Sequence, residues 1–225
     1  MIPHLIIMSA PQSSWIIRAD LSRWAELNFM NKPCRLRDFA LLFVEFMTFT
    51  PEFRNLFYLR SGIKGKIFSW MCPPLSSLDI VPGKIGPGLF IQHGVATLVS
   101  AESIGANCWI NQHVVIGFAN NNIDRPIVGD NVRISAGVKI LGKVRIGNNA
   151  TIGPNTVVIA DVPAGATVLG VPGRVVSVDC DSRERPHAGR AEFAPMAAAV
   201  HPAQRRGEQA LPMTADKFAA NGSVQ

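Results

Sequence analysis

From Ile85 onward, aliphatic residues return every six positions, a spacing that fits neither an α-helix nor an ordinary β-strand. Ile85 is followed by Ile91 and Thr97, and one extra residue then moves the count to Ile104, Ile110 and Ile116. From Val128 the step of six runs through Ile134, Ile140, Ile146, Ile152 and Val158. A second column stands four residues after each aliphatic: Leu89, Val95, Cys108, Val114, Val132, Val138, Val144, Ala150, Thr156 and Val162. Most of its members are small or β-branched. Glycine directly follows the aliphatic at Gly86, Gly105, Gly117, Gly129, Gly147 and Gly153. Ordinary sheets alternate with period two or run continuously apolar. A six-residue period kept across many short strands marks a repeat architecture.

One geometry accounts for all three columns. In a parallel β-helix, each face of a triangular coil is one short strand and one turn. The aliphatic of each hexapeptide points into the prism and stacks coil on coil. The second inward position lies near a corner, where only a small side chain fits. Glycine supplies the turn conformations and close backbone approaches at little cost. Three hexapeptides make a coil of about eighteen residues, with strands of neighbouring coils roughly 4.8 Å apart. The expected fold is mainly β, with the β-helix over residues 78–177.

Residues 1–77 carry no such period. Phe39, Phe43, Phe46, Phe53 and Phe57 fall at helical spacings, interrupted by Thr50-Pro51. Threonine as N-cap with proline at the first helical position marks a fresh start. This predicts two short helices, over about 37–48 and 51–60. Their aromatic stripe is expected on the first coil or across a subunit interface, and a membrane surface is the other partner such a stripe fits. Residues 178–225 are rich in Ala, Pro, Arg and Gln, without periodicity and with few large apolar groups. Such a segment buries too little surface to offset its ordering entropy, and is expected to be a disordered tail.

The chain is 48% hydrophobic and 17% charged, with a formal charge of +6. Much of the positive excess lies around Arg54 to Lys66 and Arg183 to Arg206. No basic stripe interleaved with aromatics crosses the repeat region, which argues against a nucleic-acid partner. Anionic small ligands fit a mild excess equally well. Cysteines stand at 34, 72, 108 and 180 with no close spacing. Neither a disulfide framework nor a metal cluster is indicated, and a reducing, cytoplasmic setting is expected. The N-terminus lacks a basic n-region and a convincing cleavage site.

Three stretches carry a resemblance. Leu78-Asp79-Ile80-Val81-Pro82, then Gly88-Leu89-Phe90-Ile91-Gln92-His93-Gly94, resemble the entry motif and the catalytic segment of serine acetyltransferases. Ile134-Ser135-Ala136-Gly137-Val138-Lys139-Ile140-Leu141-Gly142, continuing through Asp161-Val162-Pro163 to Gly170-Val171-Pro172-Gly173-Arg174, resembles the last coils of hexapeptide acyltransferases generally. The resemblance covers residues 78–176 and implies a left-handed β-helix that transfers acetyl from acetyl-CoA, without a metal. His93 would be the general base toward an acceptor hydroxyl, with a pKa of about 6.5 suited to the task. Asp79 would fix its tautomer and stabilise the imidazolium; a cap or turn aspartate is the plainer role for it. The resemblance places Gln92, Arg125, Gln112 and His113 around the acceptor. For His113 the plainer role is a turn residue; lining the groove and serving as the base are the alternatives. Ser135, Ala136, Lys139, Gly153 and Arg174 fall to acetyl-CoA, Lys139 and Arg174 as phosphate contacts.

Departures from the family bear on the acceptor. Serine acetyltransferases typically carry aspartate before the catalytic histidine, where this chain has Gln92. Their loop ends Asp-Arg-His-Pro, and here it ends Asp124-Arg125-Pro126, without the histidine and shorter. A zwitterionic amino acid needs both charges met, because an unpaired buried charge is costly. The helical region is also short, as in acetyltransferases of exopolysaccharide pathways. The expected function is therefore O-acetylation of a sugar or polysaccharide precursor. L-Serine is the alternative acceptor, and a silent scaffold the third reading. A metal-dependent prism needs three histidines, and the repeat region has two. Flat prism faces imply a homotrimer with the site between neighbours.

Overall fold

The computed structural model describes residues 2–8, 14–29, 38–81, 83–119 and 124–178. The six-residue period becomes three parallel ladders, one per face. The first face is built from β1 (Leu78–Ile80), β4 (Thr97–Val99), β7 (Val115–Gly117), β10 (Lys139–Leu141) and β13 (Val157–Val158). The second holds β2 (Lys84–Ile85), β5 (Ser103–Ile104), β8 (Ile127–Val128) and β11 (Arg145–Ile146). The third holds β3 (Phe90–Ile91), β6 (Trp109–Ile110), β9 (Arg133–Ile134), β12 (Thr151–Ile152) and β14 (Ala166–Leu169). A last strand, β15 (Arg174–Val178), turns back antiparallel on β14. Winding β1, β2, β3 and back to the first face gives the left-handed solenoid.

The aliphatic column is the core: Ile110, Ile116, Ile134, Ile140 and Ile152 are fully buried. The second column is buried at every position except Val95, which is 47% exposed. That exception corrects the register of the second coil. Ile116 stands opposite Val99, and Val99 opposite Ile80, so Val99 rather than Thr97 belongs to the aliphatic column. The step from Ile91 is thus eight residues, and the next, to Ile104, is five. The enlargement falls in the turn after β3, before Thr97 and not after it. Thr97 is buried too, its hydroxyl donating to the Val95 carbonyl at 3.2 Å.

Four helices precede the prism: α1 (Ile2–Met8), α2 (Ser14–Phe29), α3 (Asp38–Phe49) and α4 (Pro51–Ile67). The two expected helices are present, the second extended by about two turns beyond residue 60, to Ile67. Thr50 occupies the N-cap before Pro51, although its hydroxyl makes no capping bond. The sequence reading passed over α1 and α2. In α2 the inward face Ile17, Leu21, Trp24 and Ala25 is shared with buried Asp20 and Arg23, which breaks the apolar pattern. His4 is fully buried in α1 and contacts the Tyr58 hydroxyl at 3.2 Å. Phe43, Phe46, Phe53 and Phe57 form the interior of the helical layer, Phe43 edge-on to Phe53 and Phe57, and Trp24 edge-on to Phe46 and Phe53. Trp24 in turn meets Phe90 of the first coil at 4.8 Å. The stripe therefore packs within the helical layer and reaches the first coil through Trp24.

This packing closes an open end. The first coil of a solenoid has no preceding coil to satisfy its backbone, and terminal repeats need a cap. Here helix side chains supply it. Arg60 donates to the carbonyls of Ile85 and Gly86, both at 2.6 Å, and Trp24 Nε1 to that of Leu89 at 2.8 Å. Asn55 donates to the Leu78 carbonyl at 2.9 Å, and the Gly88 amide donates to Asp20 at 2.7 Å. Asp20 also holds Arg60 in a buried ion pair at 2.9 Å. The expected disordered tail begins at Val178, the last residue of β15, and beyond that residue lies outside the described residues.

Candidate functional site

Each coil turns from the third face to the first through a corner in the left-handed αL region. The corners stack: the His113 amide donates to the Val95 carbonyl at 2.9 Å, Gly137 to Gln112 at 3.0 Å, and Asn155 to Ala136 at 2.9 Å. Glycine and asparagine enter αL with least strain. They fill it at Gly137 and Asn155, and again at Asn107, Asn131 and Asn149 in the corner from the second face to the third. Among the described residues, three αL positions are neither: His93 (φ 54), Ala96 (φ 49) and His113 (φ 59). All three lie in the corners of the first two coils. Strain of this kind concentrates at functional sites.

The enlarged turn explains how His93 is presented. The amide of Val95 folds back to the His93 carbonyl at 2.7 Å, a tight turn inside the corner, and His93 is left exposed at its apex. Gln92 before it is half-buried and tied to the Ile110 carbonyl through its amide at 2.8 Å. One coil on, Gln112 is half-buried and His113 exposed. Two imidazoles thus reach solvent from consecutive coils of one edge. Lys139 lies at the same edge, its ammonium donating to the carbonyls of His113 at 2.7 Å and Gly137 at 3.1 Å. That leaves one of its three N–H groups for a ligand.

Asp79 is exposed on β1, on the outward side of the first face. Its neighbour Leu78 packs against Gly94, the residue after His93: a methyl on Gly94 would stand 2.9 Å from Leu78 Cδ2. The fold thus brings the two segments together. No hydrogen bond or ion pair joins the Asp79 carboxylate to the His93 ring within the chain. Ser135 and Ala136 are half-buried at the third corner, beside Lys139. Gly153 is buried under the end of the Leu169 side chain, which a larger residue would have to displace. Arg174 is exposed at the start of β15, and Arg125 is half-buried just ahead of β8.

Other chemistry falls away. Cys108 is buried within the prism and its thiol is pushed up to about 11 by that burial, so it is a packing residue and not a nucleophile. An open groove of about 420 Å³ lies along the second face, lined by Lys84, Ser103 and Asp130, away from the histidine corner. Asp130 there is committed to the Ala106 amide at 2.7 Å. What the corner offers is a pair of solvent-reaching bases beside a cation. The feature missed in the sequence is the enlarged turn itself. Its signal in the sequence is the break in the period between Ile91 and Ile104, which does not say on which side of Thr97 the added residues fall.

Residues 125–160 match the model of the bacterial transferase hexapeptide family (six repeats). A serine acetyltransferase of Synechococcus elongatus is 36% identical over 125 residues, covering 54% of this chain and 51% of that protein. The chain spans about half the length of this curated relative. The crystal structure of Neisseria gonorrhoeae serine acetyltransferase in complex with serine superposes with a TM-score of 0.58 at 30% identity, over 77% of this chain and 72% of that one. A serine acetyltransferase in complex with CoA gives a TM-score of 0.52 at 27% identity, over 75% and 72%. With these likenesses, the chain belongs to the hexapeptide-repeat transferase family.

Proposed function

We propose that the protein transfers acetyl from acetyl-CoA to the hydroxyl of a small acceptor, and that the acceptor is L-serine. The observation that carries the chemistry is His93, an exposed imidazole held in αL at the apex of an enlarged corner. The likeness to serine acetyltransferases, one of them solved with serine, carries the acceptor. It outweighs the expectation of a sugar drawn from the sequence. The carbohydrate hydroxyl remains the second reading, on two observations: uncharged Gln92 before the histidine, and Asp124-Arg125-Pro126 without a histidine.

In this mechanism His93 removes the hydroxyl proton as the oxygen attacks the thioester carbonyl. The tetrahedral intermediate collapses with loss of the CoA thiolate, which takes the proton back from the imidazolium. Corner amides near His93 are the donors available to the oxyanion. Asp79 joins His93 when substrates close the site; catalytic hydrogen bonds are often loose without ligand. The small residues Ser135 and Ala136 leave a lane for the pantetheine arm, and the free N–H of Lys139 and exposed Arg174 meet phosphate. Arg125 meets the acceptor carboxylate, with Gln92, Gln112 and His113 around it. The assembly that goes with this reading is a homotrimer. On the outward first face, Leu98 and Val115 form an apolar step between Asp79 and Lys139.

The test is thiol release from acetyl-CoA by wild type and His93→Asn, with L-serine and then nucleotide sugars as acceptors. Asparagine tolerates αL, so the comparison removes the base and spares the turn. Turnover on serine that falls by about 10²–10⁴ in the variant is expected. Turnover on a sugar alone would replace the acceptor, and equal turnover in the variant would remove His93 from the chemistry.

A further inference from the structure

Beyond the middle of α4 the backbone leaves helical geometry at Gly62 (φ 61, ψ −141). The segment that follows turns an apolar stripe outward. Ile63, Ile67 and Trp70 recur at helical spacing and are 78, 63 and 78% exposed, with Met71 beside them at 38%. The opposite side of the segment is anchored. Gly65 is buried, with no room for a side chain next to Ser61, and Phe68 meets the ring of buried His4 edge-on at 6.2 Å. The stripe is held outward by this packing. Its exposure is therefore a property of the fold and not of a loose end.

Three large apolar side chains in line favour a partner that removes them from water. The charges beside them say which. Lys64 and Lys66 are both exposed, and no Asp or Glu occurs between Glu52 and Asp79. A second copy docking the same face would bring two sets of lysines together with no acid in the segment to neutralise them. A layer of anionic headgroups over acyl chains accepts both features. Tryptophan sits at the interface, isoleucines reach below it, and lysines stay with the phosphates. No described helix is long and apolar enough to cross a membrane, so the contact is with one surface. We propose that the segment Ile63–Met71 docks the protein on an anionic lipid surface. This inference stands independently of the acetyl-transfer reading.

The experiment is flotation of the full chain with vesicles of phosphatidylcholine alone or mixed with phosphatidylglycerol, at low and high salt. Wild type should float with the anionic vesicles, less so in high salt, and remain behind with the zwitterionic ones. Ile63→Ser/Ile67→Ser/Trp70→Ser should lose flotation. Lys64→Glu/Lys66→Glu should weaken it by at least roughly tenfold. Thermal melting of both variants checks that each is folded; all of these side chains are on the surface. Failure of wild type to bind anionic vesicles overturns the proposal, as does binding indifferent to lipid charge. Sedimentation in solution supplies the other decisive result: if the triple serine variant lowers the mass of the assembly, the stripe is covered by a second copy and not by lipid.

Discussion

His93 separates two demands that a folded chain usually satisfies together. An L-residue other than glycine or asparagine costs roughly 1–2 kcal/mol in αL. The equivalent turns of later coils avoid that cost with Gly137 and Asn155, whereas the first two corners keep His93, Ala96 and His113. The ring of His93 is exposed and makes no compensating hydrogen bond. Nothing in the packing therefore requires histidine, and the conformation itself prefers another residue. His93→Asn should leave the chain as stable as wild type or more stable, by up to about 1 kcal/mol, in denaturant unfolding. A clear loss of stability would mean that the ring packs structurally and that its strain says nothing about chemistry. His113→Asn makes the same comparison one coil on.

At the scale of elements, α1 is docked by one residue whose charge state matters. His4 is buried against Phe57, Tyr58 and Phe68, and burial holds its imidazole below the ordinary value of 6.5. The folded chain thus binds this proton less readily than the unfolded one. The stabilisation is complete above pH 6.5 and is lost as pH falls below it through the lowered value. Melting temperature should drop on going from about pH 7.5 to pH 5, and His4→Phe should flatten that drop. An equal slope in the variant would assign the acid sensitivity elsewhere. His4 also illustrates what the sequence conceals. The prism was legible because its repeats bury the same columns coil after coil. The helical layer was only half legible, because its interior includes the polar residues His4, Asp20 and Arg23, which meet Tyr58, Arg60 and Glu26 respectively, Asp20 also accepting from the Gly88 amide of the first coil. Periodicity counts apolar residues, and these three break the count without leaving the core.

For the whole molecule, the same contrast explains which part of the site could be read in advance. His93, His113 and Lys139 lie on one edge because the parallel ladder pairs Ile91 with Ile110 and Ile110 with Ile134, which brings the corners that follow into register. The presentation of His93 is the exception, since it depends on an eight-residue step where the repeat allows six. A one-sided break in the period reveals that residues were added; only the ladder pairing shows which turn received them. The helical layer has its own global role, closing the end of the solenoid next to that turn. Arg60, Trp24 and Asn55 satisfy first-coil carbonyls, and Trp24 covers Phe90. A prism lacking residues 1–77 would expose unpaired backbone and an apolar end beside the His93 corner, a template for pairing with another chain. Such a fragment should self-associate, with light scattering that rises with concentration, and should melt below the full chain. A monodisperse fragment with the melting temperature of the full chain would show that the first coil closes itself, and that the Arg60 and Trp24 contacts only tether the helices to it.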